Sequence, residues 1–226
     1  MKITISGASG LIGGKLAARL RDRGDEVTVL SRSASTPPST WQWDPLAGPA
    51  PVAALAGRDA VVHLAGEPLG QRLTGEVKDR VRNSRVAGTR NLVEGLRAVP
   101  GAERPQALVS SSGVAYYGPR GDEEVTEQDP PGGTFLAEVS AAWEQEAARA
   151  AEFRVRVVRM RTGVVLDASG GTVKSPRGAA PTTARHPNRS PSGSFRRRWA
   201  GRCTAPPSSR CPGSLSGWRS ASWRTW

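Results

Sequence analysis

The chain has 226 residues, with 32 Lys and Arg against 20 Asp and Glu and a formal net charge of +12. The excess is local: every acid lies at or before Asp167, while residues 175–226 carry ten Arg, no Lys and no acid, leaving +2 for residues 1–174. The overall charge therefore excludes nothing and assigns no partner, and function has to be argued from the balanced first part.

Lys2-Ile3-Thr4-Ile5-Ser6 predicts a buried strand, followed by a glycine loop and a helix ending near Gly24. Ile12, Leu16 and Leu20 repeat every four residues and predict that helix's buried face. Glu26 to Leu30 is a second strand, and Ser33 to Pro51 reads as a loop rich in Pro, Ser and Thr. Asp59 to Gly66 is a third strand, Thr74 to Ala98 a long helix, and Gln106 to Ser110 a further strand. A helix from Phe135 to Glu152 places Val139, Ala142, Trp143, Ala147 and Ala150 on one stripe, and Arg154 to Arg159 is the last strand. Strands alternating with helices predict parallel pairing through right-handed crossovers, hence an α/β, doubly wound parallel sheet of the Rossmann-like kind over residues 1–174. Ligands of such sheets bind at the carboxyl ends of the strands. That places Gly7 to Gly13, Ser31-Arg32, Leu64-Ala65-Gly66, Ser110 to Ser112 and Arg161-Thr162 around one crevice.

Gly7-Ala8-Ser9-Gly10-Leu11-Ile12-Gly13 is a G-x-x-G-x-x-G pattern between the first strand and the first helix. Glycines permit the turn and the close approach of main chain to a pyrophosphate, and the helix start attracts the anion. The alternative is a tight turn with no ligand. A nucleotide-hydrolase phosphate loop is excluded, because Ser9 replaces its first Gly and Leu16 its Ser or Thr. An acid after the second strand would bind the ribose hydroxyl of NAD. Here Ser31 and Arg32 stand instead, and Arg suits a phosphate, so NADP(H) is expected with NAD(H) second.

With the glycine loop, His63-Leu64-Ala65-Gly66 and Ser110-Ser111-Ser112, the chain resembles the extended short-chain dehydrogenase/reductases, the NAD(P)-dependent epimerase/dehydratase family. More narrowly it resembles an atypical epimerase subgroup sometimes called cell-division-inhibitor-like. Trp43-Asp44-Pro45, Glu67-Pro68, Asn83-Ser84-Arg85-Val86-x-Gly88-Thr89, Val114 to Gly118, Phe135 to Val139 and Arg161 to Leu166 carry that narrower match. The resemblance implies a pyrophosphate held by Gly7, Ser9, Gly10, Leu11, Ile12 and Gly13, and an adenosine phosphate met by Ser31 and Arg32. It implies that Leu64, Ala65 and Gly66 line the adenine and ribose path. Arg85, Ser110, Arg161 and Thr162 would also reach the cofactor. Ser112 would stand beside the reacting carbon, and Tyr116 and Tyr117 would face a small-molecule substrate. The family's usual acid is a Tyr with a Lys four residues later, which helps a phenol of pKa ~10 to work at neutral pH. Phe135 and Val139 occupy those places, and there is no Tyr-x-x-x-Lys in the chain. A substitute acid would be Tyr116 or Tyr117, with Ser112 binding the substrate oxygen; equally, both tyrosines only pack. The implied activity is oxidation, reduction or epimerisation at a hydroxyl or carbonyl carbon. The missing pair leaves open a non-catalytic NADP(H)-binding regulator.

Other residues point to no chemistry. His63 closes a strand and reads as a satisfied structural histidine, and Asp122-Glu123-Glu124 as a solvated loop. No metal-ligand spacing is present. Trp41 and Trp43 read as loop anchors, the alternative being packing under the adenine end. Both cysteines, Cys203 and Cys211, lie in the tail. The start has no basic segment followed by a long apolar run, and no stretch nears the ~18 apolar residues of a membrane span. A cytoplasmic location with no membrane partner is expected.

Residues 175–226 have no apolar periodicity. Ten Arg without Lys, beside four Trp, is what GC-rich coding DNA yields when read out of frame. The expectation is a frameshift near residues 173–180 and a disordered ending in place of the family's later, substrate-binding part. The rival is an Arg-rich tail that holds nucleic acid through phosphate neutralisation and Trp stacking.

Overall fold

In the computed structural model, residues 1–33, 39–167 and 170–171 are described. Strand β1 (Lys2–Ser6) leads through the glycine loop into helix α1 (Leu11–Asp22) and returns as β2 (Glu26–Ser31). A short strand β3 (Thr40–Gln42) and one turn of helix, α2 (Val52–Leu55), fall inside or just after the segment expected to be loop. Three residues of Thr-Trp-Gln are too few to show a period, and only pairing with β2 makes them a strand. Strand β4 (Ala60–His63), helix α3 (Gly75–Ala98), strand β5 (Ala107–Gly113), helix α4 (Phe135–Ala148) and strand β6 (Arg156–Thr162) follow. A short antiparallel pair, β7 (Leu166–Asp167) with β8 (Gly170–Gly171), closes the described part.

The sheet order is β3-β2-β1-β4-β5-β6, with all neighbours parallel. The order reverses between β1 and β4, so the loops after these two strands diverge and leave a crevice at their carboxyl ends. Two apolar clusters cover the two faces. Ile3, Ile5 and Val27 pack with Ala17 and Leu20 of α1. Val61, Leu108 and Val155 pack with Leu92, Leu96 and Ala147 of α3 and α4. The doubly wound α/β architecture expected from the sequence is therefore the observed one.

The buried face of α1 is the expected one in part. Gly13, Ala17 and Leu20 are buried, Leu16 is half-buried and Ile12 is exposed. The helix rolls by one residue because its first turn must bring Gly13, and no larger side chain, against the loop: a Cβ there would lie 2.2 Å from the Gly7 carbonyl oxygen. The α4 stripe is as expected at Val139, Trp143, Ala147 and Ala150, while Ala142 is only half-buried. The expected helix to Glu152 ends at Ala148 and continues as a 3-10 segment, Arg149–Phe153. Threonines cap both long helices: Thr74 Oγ1 accepts from the Val77 N–H at 3.4 Å, and Thr134 Oγ1 from the Ala137 N–H at 3.2 Å. The readings of residues 175–226, as a frameshifted disordered ending or as a nucleic-acid tail, lie outside the described residues.

Candidate functional site

Gly7 ends β1 with φ +75°, and a Cβ there would come within 2.7 Å of the Leu64 carbonyl carbon. The loop after β1 is thereby pressed onto the loop after β4. Gly10 closes the turn by donating its N–H to the Gly7 carbonyl at 3.1 Å and then caps α1 without any side-chain bond. The first turn of α1 holds no acid. Early N–H groups of a helix have no intrahelical acceptor, so this end presents donors and positive dipole to the crevice. The donor set suits a pyrophosphate.

A cavity of about 540 Å³ opens over this end, lined by the glycine loop, Ser31-Arg32-Ser33, Trp43 to Leu46, Leu64 to Pro68, and Arg80, Asn83 and Ser84. Arg32 stands exposed at its rim and joins no ion pair among the described residues. Ser31 Oγ accepts from the Ser33 N–H at 3.2 Å. Trp43 is buried in the core, with Nε1 donating to the Gly48 carbonyl at 2.9 Å, so this loop anchor is also cavity wall. The loop is held to α3 by Asn91, whose Nδ2 donates to the Pro45 carbonyl at 2.7 Å.

His63 lies beneath the cradle, fully buried. Its Nδ1 is 2.6 Å from Ser6 Oγ and its Nε2 3.0 Å from Thr89 Oγ1. Burial lowers its pKa from 6.5 to about 4, so it is neutral at physiological pH and ties β1, β4 and α3 together.

A second cavity of about 400 Å³ adjoins the first, sharing Leu64 and Gly66, and reaches the ends of β5 and β6. Ser112, Val139 and Thr162 line it, as does Arg85. Arg85 thus faces this second space and not the cavity over the glycine loop. Ser110, one position below the crevice wall, is buried in the sheet and lines neither cavity. Tyr116 and Tyr117 occupy a 3-10 turn, Val114–Tyr117, and line neither cavity. Both pack on Arg161, whose guanidinium lies 3.5 Å from the Tyr116 ring centre and donates to Tyr117 Oη at 2.9 Å.

Arg161 itself is held by Glu144, a residue the sequence reading did not single out. Two bonds of 2.8 Å join the guanidinium to both carboxylate oxygens, and Ser112 Oγ donates to Glu144 Oε1 at 2.6 Å. Burial would raise the Glu144 pKa, but the bonds from Arg161 and Ser112 prevail and hold it below the ordinary value. The Arg161 pKa is raised, chiefly by the bond to Glu144. A signal for Glu144 existed: it follows Ser140 by four residues and precedes Ala147 by three, on the buried stripe of α4. Phe135, at the position of the family's Tyr, is flanked by Lys78 and Arg82, 5.4 and 5.5 Å from the ring centre, and does not line the second cavity.

The model of the NAD dependent epimerase/dehydratase family matches residues 3–184. The chain belongs to that family. Among curated members, it is 37% identical over 173 residues to an epimerase family protein of Mycobacterium bovis, covering 76% of this chain and 56% of that one. It is 35% identical over 179 residues to a chloroplastic SDR39U1 homologue of Arabidopsis thaliana, covering 76% of this chain and 51% of that protein. The chain spans about half the length of these relatives. Among solved structures, a nucleoside-diphosphate sugar epimerase of Corynebacterium glutamicum superposes with TM-score 0.67 at 38% identity, over 76% of this chain and 36% of that one. Human SDR39U1, crystallised with NADPH, superposes with TM-score 0.64 at 33% identity, over 76% of this chain and 57% of that one. The family is described as NAD dependent, and the chain's bare helix end and glycine turn fit such a cofactor's pyrophosphate. Among the described residues, no helix is long and apolar enough to cross a membrane.

Proposed function

We propose that this protein binds NADP(H) and oxidises, reduces or epimerises a small molecule at a hydroxyl or carbonyl carbon, in the cytoplasm. The observation that carries the reading is the glycine cradle at the reversal of strand order, with Arg32 at one end of its cavity and a second cavity adjoining the other. When bound, the cofactor supplies hydride transfer. The chain's own residues bind, orient and shield. Gly7, Gly10 and Gly13 shape the main-chain cradle, Arg32 pairs with the adenosine phosphate, and Leu64 and Gly66 form the passage between the two cavities. Human SDR39U1, a relative crystallised with NADPH, supports the choice of NADP(H). Of the three catalytic candidates, Ser112 is the one whose residue lines the second cavity. Tyr116 and Tyr117 position Arg161.

The test is titration of the full chain with NADPH and with NADH, repeated on Arg32→Ala. NADPH should bind more tightly, and Arg32→Ala should weaken NADPH by about tenfold, the value of one charge-assisted contact, while sparing NADH. Equal affinities that the change leaves untouched would refute the preference, and binding of neither would refute the reading. A non-catalytic regulator is the second reading. It is favoured by Phe135 and Val139 in the Tyr and Lys places and by the Ser112 proton being spent on Glu144. Turnover of a carbonyl panel decides between the two.

A further inference from the structure

The second cavity has an uneven inventory of hydrogen-bonding groups. Four side-chain hydroxyls line it, and three of them donate to the protein at 3.0 Å or less. Ser112 donates to Glu144 at 2.6 Å, Ser140 to the Leu136 carbonyl at 2.7 Å, Thr162 to the Ser112 carbonyl at 3.0 Å, and Ser111 to the same carbonyl at 3.5 Å. The first three of these oxygens are left mainly as acceptors.

Arg85 is the opposite case. It is the one charged side chain among the described residues that line this space, and no carboxylate of the described residues forms an ion pair with it. Its protein partners are weak: the Val81 carbonyl at 3.4 Å and Ser84 Oγ at 3.5 Å. Its guanidinium lies 5.2 Å from the centre of the Trp143 ring, and its Cζ comes 3.3 Å from where a side chain on Gly66 would begin. The two nearby acids are committed. Glu67 accepts from Gln71 at 3.0 Å and pairs with Arg80 at 3.5 Å, and Glu144 holds Arg161. Burial lowers the Arg85 pKa, yet a guanidinium remains charged at any physiological pH. Trp143 lines the cavity as an aromatic wall beside Arg85. Around these groups the wall is apolar, with Leu64, Leu69, Leu136, Val139 and Val164. A half-buried cation without a carboxylate is costly, and a ligand that supplies the anion recovers part of that cost.

We propose that the second cavity binds a small hydroxy acid with an apolar body, and that Arg85 pairs with its carboxylate. The substrate hydroxyl donates to one of these acceptor oxygens, and the apolar body lies against the leucine and valine wall. This rests on the cofactor reading of the first cavity and names the class of substrate beside it.

The full chain is titrated by calorimetry with 2-hydroxy-4-methylpentanoate and with its amide, on wild type, Arg85→Gln and Arg85→Lys. The acid should bind at least about tenfold more tightly than the amide, the gap expected of a charge-assisted hydrogen bond. Arg85→Gln should abolish the gap and Arg85→Lys keep part of it. Equal binding of acid and amide, binding of neither, or an unchanged gap in Arg85→Gln would overturn the proposal. Should Arg85→Gln fail to show a cooperative melt, the wild-type comparison and Arg85→Lys decide. NADPH titration of the same samples separates the two readings: loss of NADPH binding in wild type defeats the cofactor assignment, while the acid–amide gap judges Arg85. An Arg85→Gln protein that binds NADPH more weakly, from a wild type showing no such gap, would return Arg85 to the cofactor.

Discussion

Acidification should loosen this fold in part through His63. Its ring is fully buried between Ser6 and Thr89, and burial sets its folded pKa at about 4 against 6.5. Between those values the unfolded chain holds a proton that the native ring does not, so stability rises with pH across that window. The contribution is fully present above pH 6.5 and is lost as pH falls toward about 4. At about 1.4 kcal/mol per pH unit, the full loss is about 3 kcal/mol, a large part of the usual stability of a domain. The assay is urea denaturation of wild type and His63→Asn at a series of pH values between about 7 and about 4. Carboxylates titrate in both proteins, so the difference between the two curves isolates His63. Wild type should lose about 3 kcal/mol relative to the variant across the window. Parallel curves would show that His63 is charged, or hydrated, in the native protein, and would refute the buried neutral relay beneath the cradle.

Gly13→Ala would place a methyl 2.2 Å from the Gly7 carbonyl oxygen, so α1 or the loop must move. It should cost about 2 kcal/mol in a denaturation experiment and weaken NADPH by at least about tenfold; an unchanged melt and titration would dismiss the close approach. Glu144→Gln should cost about 3 kcal/mol, because it leaves the Arg161 charge without its carboxylate in a largely buried setting. A loss below about 1 kcal/mol, measured by the same denaturation, would mean that the pair behaves as a surface one.

Much of the site could be read before any coordinates, because its parts are contiguous. The glycine turn, Ser31-Arg32 and Leu64 to Gly66 each sit at a strand end, and a parallel sheet gathers strand ends on one edge without further information. The strands of the sheet were legible for the same reason, as short apolar runs between turns. β3 was not, because three residues carry no period, nor was the roll of α1, which a carbonyl contact at Gly13 decides.

What the residues alone determined, then, is the doubly wound α/β fold and the cradle, since both depend on local pattern and on the steric freedom of glycine. The partners of side chains distant in sequence were settled only by tertiary structure. Glu144 accepts hydrogen bonds from Arg161 and Ser112, 17 and 32 residues away, and so links two expected site residues. Tyr116 and Tyr117 turn to the same arginine, and Arg85 is left facing the second cavity without a carboxylate. Composition shows that charges exist; only packing decides which of them are neutralised, because an ion pair depends on a few ångströms of separation and on exclusion of water.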